Sequence, residues 1–224
     1  MPTVYRLVPE GKTVDLELAP LRASFPTSIC LDLREGDLYA TIESAVPEDR
    51  ATQLLINREL DRIYFLTCVR LRAEMCCRTV TVDLSASYRI HGRIPAGTKP
   101  QQWTERLSLQ LRLWALAMES ADALIKILLL FQIIELSYPD TKDTKVYPRY
   151  VDPAHPPHPR TEAKLLRHLV AHAGDAMRQT GNYLKFLGLP PRLSNLTHPE
   201  WSHKVSDRVK VVEGEARDVV QSAV

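Results

Sequence analysis

The chain has 224 residues, enough for one large domain or two small ones, with 45% hydrophobic and 25% charged side chains, ordinary values for a soluble globular protein. A net charge of +2 excludes a protein that works through a global basic excess, so any nucleic-acid site must be local. Cys30, Cys68, Cys76 and Cys77 lack CxxC spacing, Met-Pro-Thr-Val-Tyr-Arg is no signal pattern, and the apolar run Ile127–Phe131 is too short to span a bilayer, so the expected setting is reducing and cytoplasmic, with no membrane.

Residues 3–43 read as strands. Thr3–Val8, Val14–Leu18, Ser28–Leu33 and Leu38–Glu43 are β-branched or alternating runs, separated by Pro9-Glu-Gly11, Pro20, Pro26 and Arg34-Glu-Gly36-Asp37. Gly11-Lys12-Thr13 is not a phosphate loop, because the first glycine is missing (Arg6 stands there) and a strand pattern follows. Pro47-Glu-Asp-Arg opens a helix that the spacing of Leu54, Leu55, Ile56, Leu60, Ile63 and Leu66 carries to about Leu71. Arg58, Glu59, Asp61, Arg62, Arg70 and Arg72 decorate it; their mixed signs predict a solvated face rather than an RNA-facing stripe. Met75–Ile90 returns to a strand pattern. The first 98 residues thus predict a small α+β domain suited to sensing, docking or dimerisation. His91–Pro100, with two Pro and two Gly, is the linker.

From residue 99 to 224 the pattern is helical. Gln101–Ser137 is either one rod of ~55 Å at ~1.5 Å per residue or two helices with a break around Ala117–Ala123. Leu107, Leu111, Trp114 and Met118 make one apolar stripe. Leu124–Leu136 is apolar nearly all round, as in a helix central to a bundle, with Glu135 the exception. Residues 138–160 hold six prolines and read as a long loop. That loop carries Lys142, Lys145 and Arg149 among Tyr147 and Tyr150, a mixture that suits phosphate contact and base stacking, or serves only as a solvated crossover. His155 and His158 have no acid or thiol at a recognised metal spacing, so no metal is expected.

Thr161 is the expected N-cap of the next helix, 161–178, with Glu162 in its first turn. On a wheel of ~100° per residue, Leu165, Leu166, Leu169, Val170 and Ala173 gather on one side; Arg167, His168, Ala171, His172 and Asp175 gather on the other. Arg supplies a fixed fork of donors with a permanent charge, and His a proton that moves near neutral pH. A phosphodiester lying across Ala171 could touch both Arg167 and His172. Gly181 is the expected C-cap region, Asn182–Leu187 a short helical turn, and Trp201, Val205, Val209, Val212, Ala216 and Val219–Val220 a single last helix opened by Thr197 and Pro199.

Arg167-His168-Leu169-Val170-Ala171-His172 has the form R-x4-H and follows a long apolar helix bearing an acid, Glu135, near its end. Over residues 100–222 the chain resembles HEPN domains, helical bundles that include many ribonucleases; the whole chain is similar, more faintly, to MauJ-like and ApeA-like HEPN proteins. The resemblance implies a metal-independent endoribonuclease without cofactor. His172 would be its general acid or base, Arg167 its phosphate stabiliser, and His168 and Glu135 helpers, with Lys142, Lys145, Arg149, Tyr147 and Tyr150 on the substrate. It also implies a homodimer through the motif helices. The alternative it leaves open is a non-catalytic module that binds RNA, a nucleotide or a protein. A zinc hydrolase is a third reading, and would need bound metal.

Overall fold

The computed structural model describes residues 2–9, 17–34, 36–43, 50–76, 98–138, 151–171, 178–190 and 199–223. It divides into two compact units, Met1–Thr104 and Glu105–Val224.

The first unit runs β1 (Pro2–Pro9), α1 (Leu18–Ser24), β2 (Ile29–Arg34), β3 (Asp37–Glu43), α2 (Arg50–Thr67) and β4 (Leu71–Met75). Its sheet is antiparallel with order β2-β3-β1-β4, the split β-α-β arrangement. The period of two sends Tyr5, Leu7, Ile29, Leu31, Ala40, Ile42 and Leu71 to one face, and the register sets Tyr5 and Leu31 on either side of Ala40. Leu21 of α1 and Phe25 at its end, with Ile56, Leu60 and Ile63 of α2, close that face into a core. The opposite face is a lattice of compensating charge: Arg6 reaches Asp37, Arg34 pairs with Asp32 and lies over Tyr39, and Arg72 pairs with Glu74.

Three expectations change here. Leu18 begins a helix instead of ending a strand, because Pro20 falls in the first turn, where a missing N–H costs nothing. The following helix stops at Thr67 rather than Leu71, since Cys68 adopts φ 58° and ends it. Its charged residues are not uniformly solvated. Arg62 and Glu59 are fully buried, joined Nε to Oε2 at 3.1 Å, and Asp61 is buried as well. Arg62 also donates to the Ser24 carbonyl at 2.6 Å, while the indole N–H of Trp103 donates to Glu59 Oε1 at 2.6 Å under the guanidinium of Arg58. Burial pushes the Glu59 carboxyl above its ordinary value, with Arg62 and Trp103 pulling it back. Gly11-Lys12-Thr13, most of Val14–Leu18 and residues 77–97 lie outside the described residues.

The second unit is helical: α3 (Glu105–Glu119), α4 (Ala123–Ser137), α5 (Pro159–Ala171), α6 (Arg178–Phe186), α7 (Pro199–Ser206) and α8 (Val209–Gln221). The architecture is therefore α+β, a small sheet-and-helix layer followed by a helical region. The stretch 101–137 is two helices; Asp122 caps the second by accepting from Leu124 N at 2.7 Å and Ile125 N at 3.3 Å. The most apolar helix, α4, packs against α3, α5, α7 and α8 and buries Ile127, Leu130, Phe131, Ile133 and Ile134. Gln110 of α3 crosses to it, donating to the Ile133 carbonyl and to Ser137 Oγ. Among the described residues no helix is long and apolar enough to cross a membrane.

Helix ends depart from expectation for identifiable reasons. Pro159 starts α5, His158 Nδ1 accepts from Arg160 N at 3.2 Å as its cap, and Thr161 is buried inside the first turn. Gly181 lies within α6. The stop comes at Gly188, φ 72°, where Gly188 N bonds to Lys185 O and Leu189 N to Leu184 O, a Schellman pair. The expected last helix is two, α7 and α8, parted at Asp207–Arg208.

Candidate functional site

The two ends of α5 have different surroundings. Its N-terminal half is buried by polar contacts. Glu162 is buried, and its carboxylate accepts from Tyr183 Oη at 2.7 Å and from Arg208 Nε at 2.6 Å and Nη2 at 2.9 Å. Burial, and then the Glu162 charge, push the Tyr183 phenol well above its ordinary range, which keeps it a donor. The bonds to Glu162 also raise Arg208. Arg160 pairs with Glu215 of α8 and lies over the Tyr138 ring at 3.8 Å. The break between α7 and α8 is what places Arg208 opposite Glu162. In the sequence Glu162 shows only a place in the first turn; its buried partners lie 21 and 46 positions away and leave no local signal.

Further along α5, the leucines Leu165, Leu166 and Leu169 point into the bundle. Arg167 and His168 are half-buried; the Arg167 guanidinium lies over the Phe131 ring of α4 at 5.8 Å, and His168 Nε2 is shielded from solvent. One turn beyond Phe131 stands Glu135, exposed. Facing it from α5 is Lys164, whose ammonium feels three influences. Partial burial lowers its proton affinity most, Glu135 raises it, and Arg167 lowers it. The structure therefore gathers Glu135, Lys164 and Arg167 along the α4–α5 seam. Lys164 was missed as a member of this group, although its position three residues before Arg167 puts both on one side of a helix.

Beside this group is a groove of about 480 Å³ between α3 and α4, lined by Leu109, Leu113, Gln132, Glu135 and Leu136. Glu135 both lines the groove and acts on the Lys164 ammonium. Other sequence candidates lie elsewhere. His172, and Lys142, Lys145, Tyr147, Arg149 and Tyr150 of the loop, fall outside the described residues. His155 donates from Nδ1 to Asp152 Oδ2 at 2.8 Å, and His158 is engaged as the α5 cap. Among the described residues no three His, Cys, Asp or Glu side chains converge as metal ligands.

An arginine backed by an aromatic ring, with an ammonium alongside, offers a phosphate both a directional fork and a second charge. No family model, curated protein or solved structure matches the chain.

Proposed function

We propose that the protein is a metal-independent endoribonuclease of HEPN type, acting on RNA phosphodiesters in a cleft between two copies of the chain. The reading is supported by one observation above others: Arg167 of the R-x4-H motif shares the α4–α5 seam with Lys164 and Glu135. In the proposed reaction His172 takes the proton of a ribose 2′-hydroxyl, whose oxygen attacks the adjacent phosphorus as the 5′-oxygen leaves, protonated by water. The products are a 2′,3′-cyclic phosphate and a free 5′-hydroxyl. Arg167 and Lys164 stabilise the charge that grows on the phosphoryl oxygens. Glu135 steadies Lys164 and, with His168, assists. The homodimer would form through the α5 helices, an isologous contact that brings two motifs together.

The test is cleavage of single-stranded and structured RNA by purified protein in excess EDTA, beside Arg167→Ala and His172→Ala. Cleavage that survives EDTA, yields 2′,3′-cyclic ends and falls by roughly 10²-fold or more in each variant is the expected result. Inactivity of the wild type with an intact dimer would favour the non-catalytic binding module instead.

A further inference from the structure

We infer that the α3–α4 groove is a guanine subsite, in which Glu135 reads the base while Lys164 and Arg167 hold the neighbouring phosphate; this rests on the nuclease reading of the same seam. The groove has an unusual division of labour. Leu109, Leu113 and Leu136 supply an apolar body, and Leu109 is 47% exposed, a large side chain left open to solvent. The polar groups, Gln132 and Glu135, both come from α4. Glu135 also acts on Lys164 of α5, which in turn feels Arg167. A ligand that satisfies all three parts has an apolar face, hydrogen-bond donors along one edge, and an anion a short distance away. A nucleotide has that layout.

The carboxylate selects among bases. It only accepts, through two oxygens side by side. Guanine alone offers two adjacent donors, N1–H and N2–H, on its Watson–Crick edge. Adenine and cytosine present one amino group beside a ring nitrogen acceptor, and uracil one N–H between two carbonyls, so each sets a lone pair against Glu135. The Gln132 amide supplies a donor for guanine O6. Unstacked RNA bases are recognised through such edges. The nearby positive charges of Lys164 and Arg167 offset the cost of a carboxylate next to a phosphate chain.

The experiment is calorimetric binding of 3′-GMP, 3′-IMP, 3′-AMP and 3′-UMP to the full chain and to Glu135→Gln, with cleavage sites mapped separately on RNA. Inosine lacks only the N2 amino group. The expected result is 3′-GMP binding about tenfold tighter than 3′-IMP or 3′-AMP, near the low end of what a bidentate base contact contributes. Glu135→Gln should flatten that preference at unchanged melting temperature, since the side chain is exposed. Equal binding of all four nucleotides, or the same preference in Glu135→Gln, overturns the subsite. Cleavage without guanine preference leaves the nuclease reading standing and removes the subsite; guanine preference without cleavage does the reverse. Leu109→Glu should abolish the preference and leave the sedimenting mass unchanged. A fall in mass would assign the groove to a protein contact and overturn the proposal.

Discussion

Replacing Glu162 with alanine should destabilise the helical unit by about 3 kcal/mol. The carboxylate accepts from three donors, one from Tyr183 and two from Arg208. Breaking a buried pair by removing one partner costs about 3–5 kcal/mol. Arg208 keeps 28% of its side chain exposed, so water recovers part of its share. Tyr183 is fully buried, and its stranded hydroxyl alone costs roughly 1–3 kcal/mol. These considerations place the loss at the low end of the buried-pair range. Urea unfolding followed by circular dichroism would show it: with a slope of about 2 kcal/mol/M, the midpoint falls by roughly 1.5 M. Tyr183→Phe leaves the Glu162–Arg208 pair intact and should lose less, about 2 kcal/mol, the worth of one hydrogen bond to a charged group. A loss below about 1 kcal/mol for Glu162→Ala, or equal losses for the two variants, would refute the view that this carboxylate is the hub.

Three further outcomes follow from other contacts. Trp103→Phe removes the indole donor from buried Glu59 and should cost the first unit about 2 kcal/mol in denaturant unfolding, the worth of a hydrogen bond to a charged group. Glu59 itself gives a pH signature: its folded form holds a proton more tightly than the unfolded chain does, so its contribution is fully present below the ordinary glutamate range and is lost as pH rises through the raised folded value. Subtracting the pH–stability curve of Glu59→Gln from that of the wild type should expose this downward slope. By NMR of the methylated amine, Lys164 should titrate below an ordinary lysine; Glu135→Gln should lower it further, and Arg167→Ala should raise it.

The pattern of apolar residues carried most of the architecture. Alternation marked β1, β2 and β3, and the nearly all-round apolarity of Leu124–Leu136 marked α4 as central, because both signals reside in consecutive residues. Boundaries were less legible. A cysteine at positive φ ends α2, and a histidine ring caps α5; neither residue type announces that role. Least legible were the buried charges. Glu59, Arg62 and Glu162 look like surface residues in sequence, and the burial of Arg62 and Glu162 depends on partners 38 and 46 positions away, Ser24 and Arg208. At the candidate site, the motif pointed to Arg167 and the apolar helix to Glu135, whereas the groove beside them required α3 and α4 to be folded together.

The division of α5 into an anchored half and a presenting half bears on how such a site would work. A phosphate-binding arginine must hold its position to within a fraction of an ångström, and helices packed by buried contacts do this better than loops. Glu162 and Arg160 tie the start of α5 to Tyr183, Arg208 and Glu215, while Leu165, Leu166 and Leu169 fix its rotation against the bundle. Arg167 lies five residues beyond Glu162, so its direction is set by contacts that themselves touch no substrate. The buried carboxylate is costly to desolvate, and a hydrophobic residue of similar size would fill the space with less penalty. What the ionic version adds is a single rotational setting: Glu162 meets both arginine nitrogens and the phenol only when α5, α6 and the α7–α8 turn are all in register. That constraint passes along one rigid helix to Arg167 and Lys164, and it accounts for a charge buried where packing alone would favour an apolar side chain.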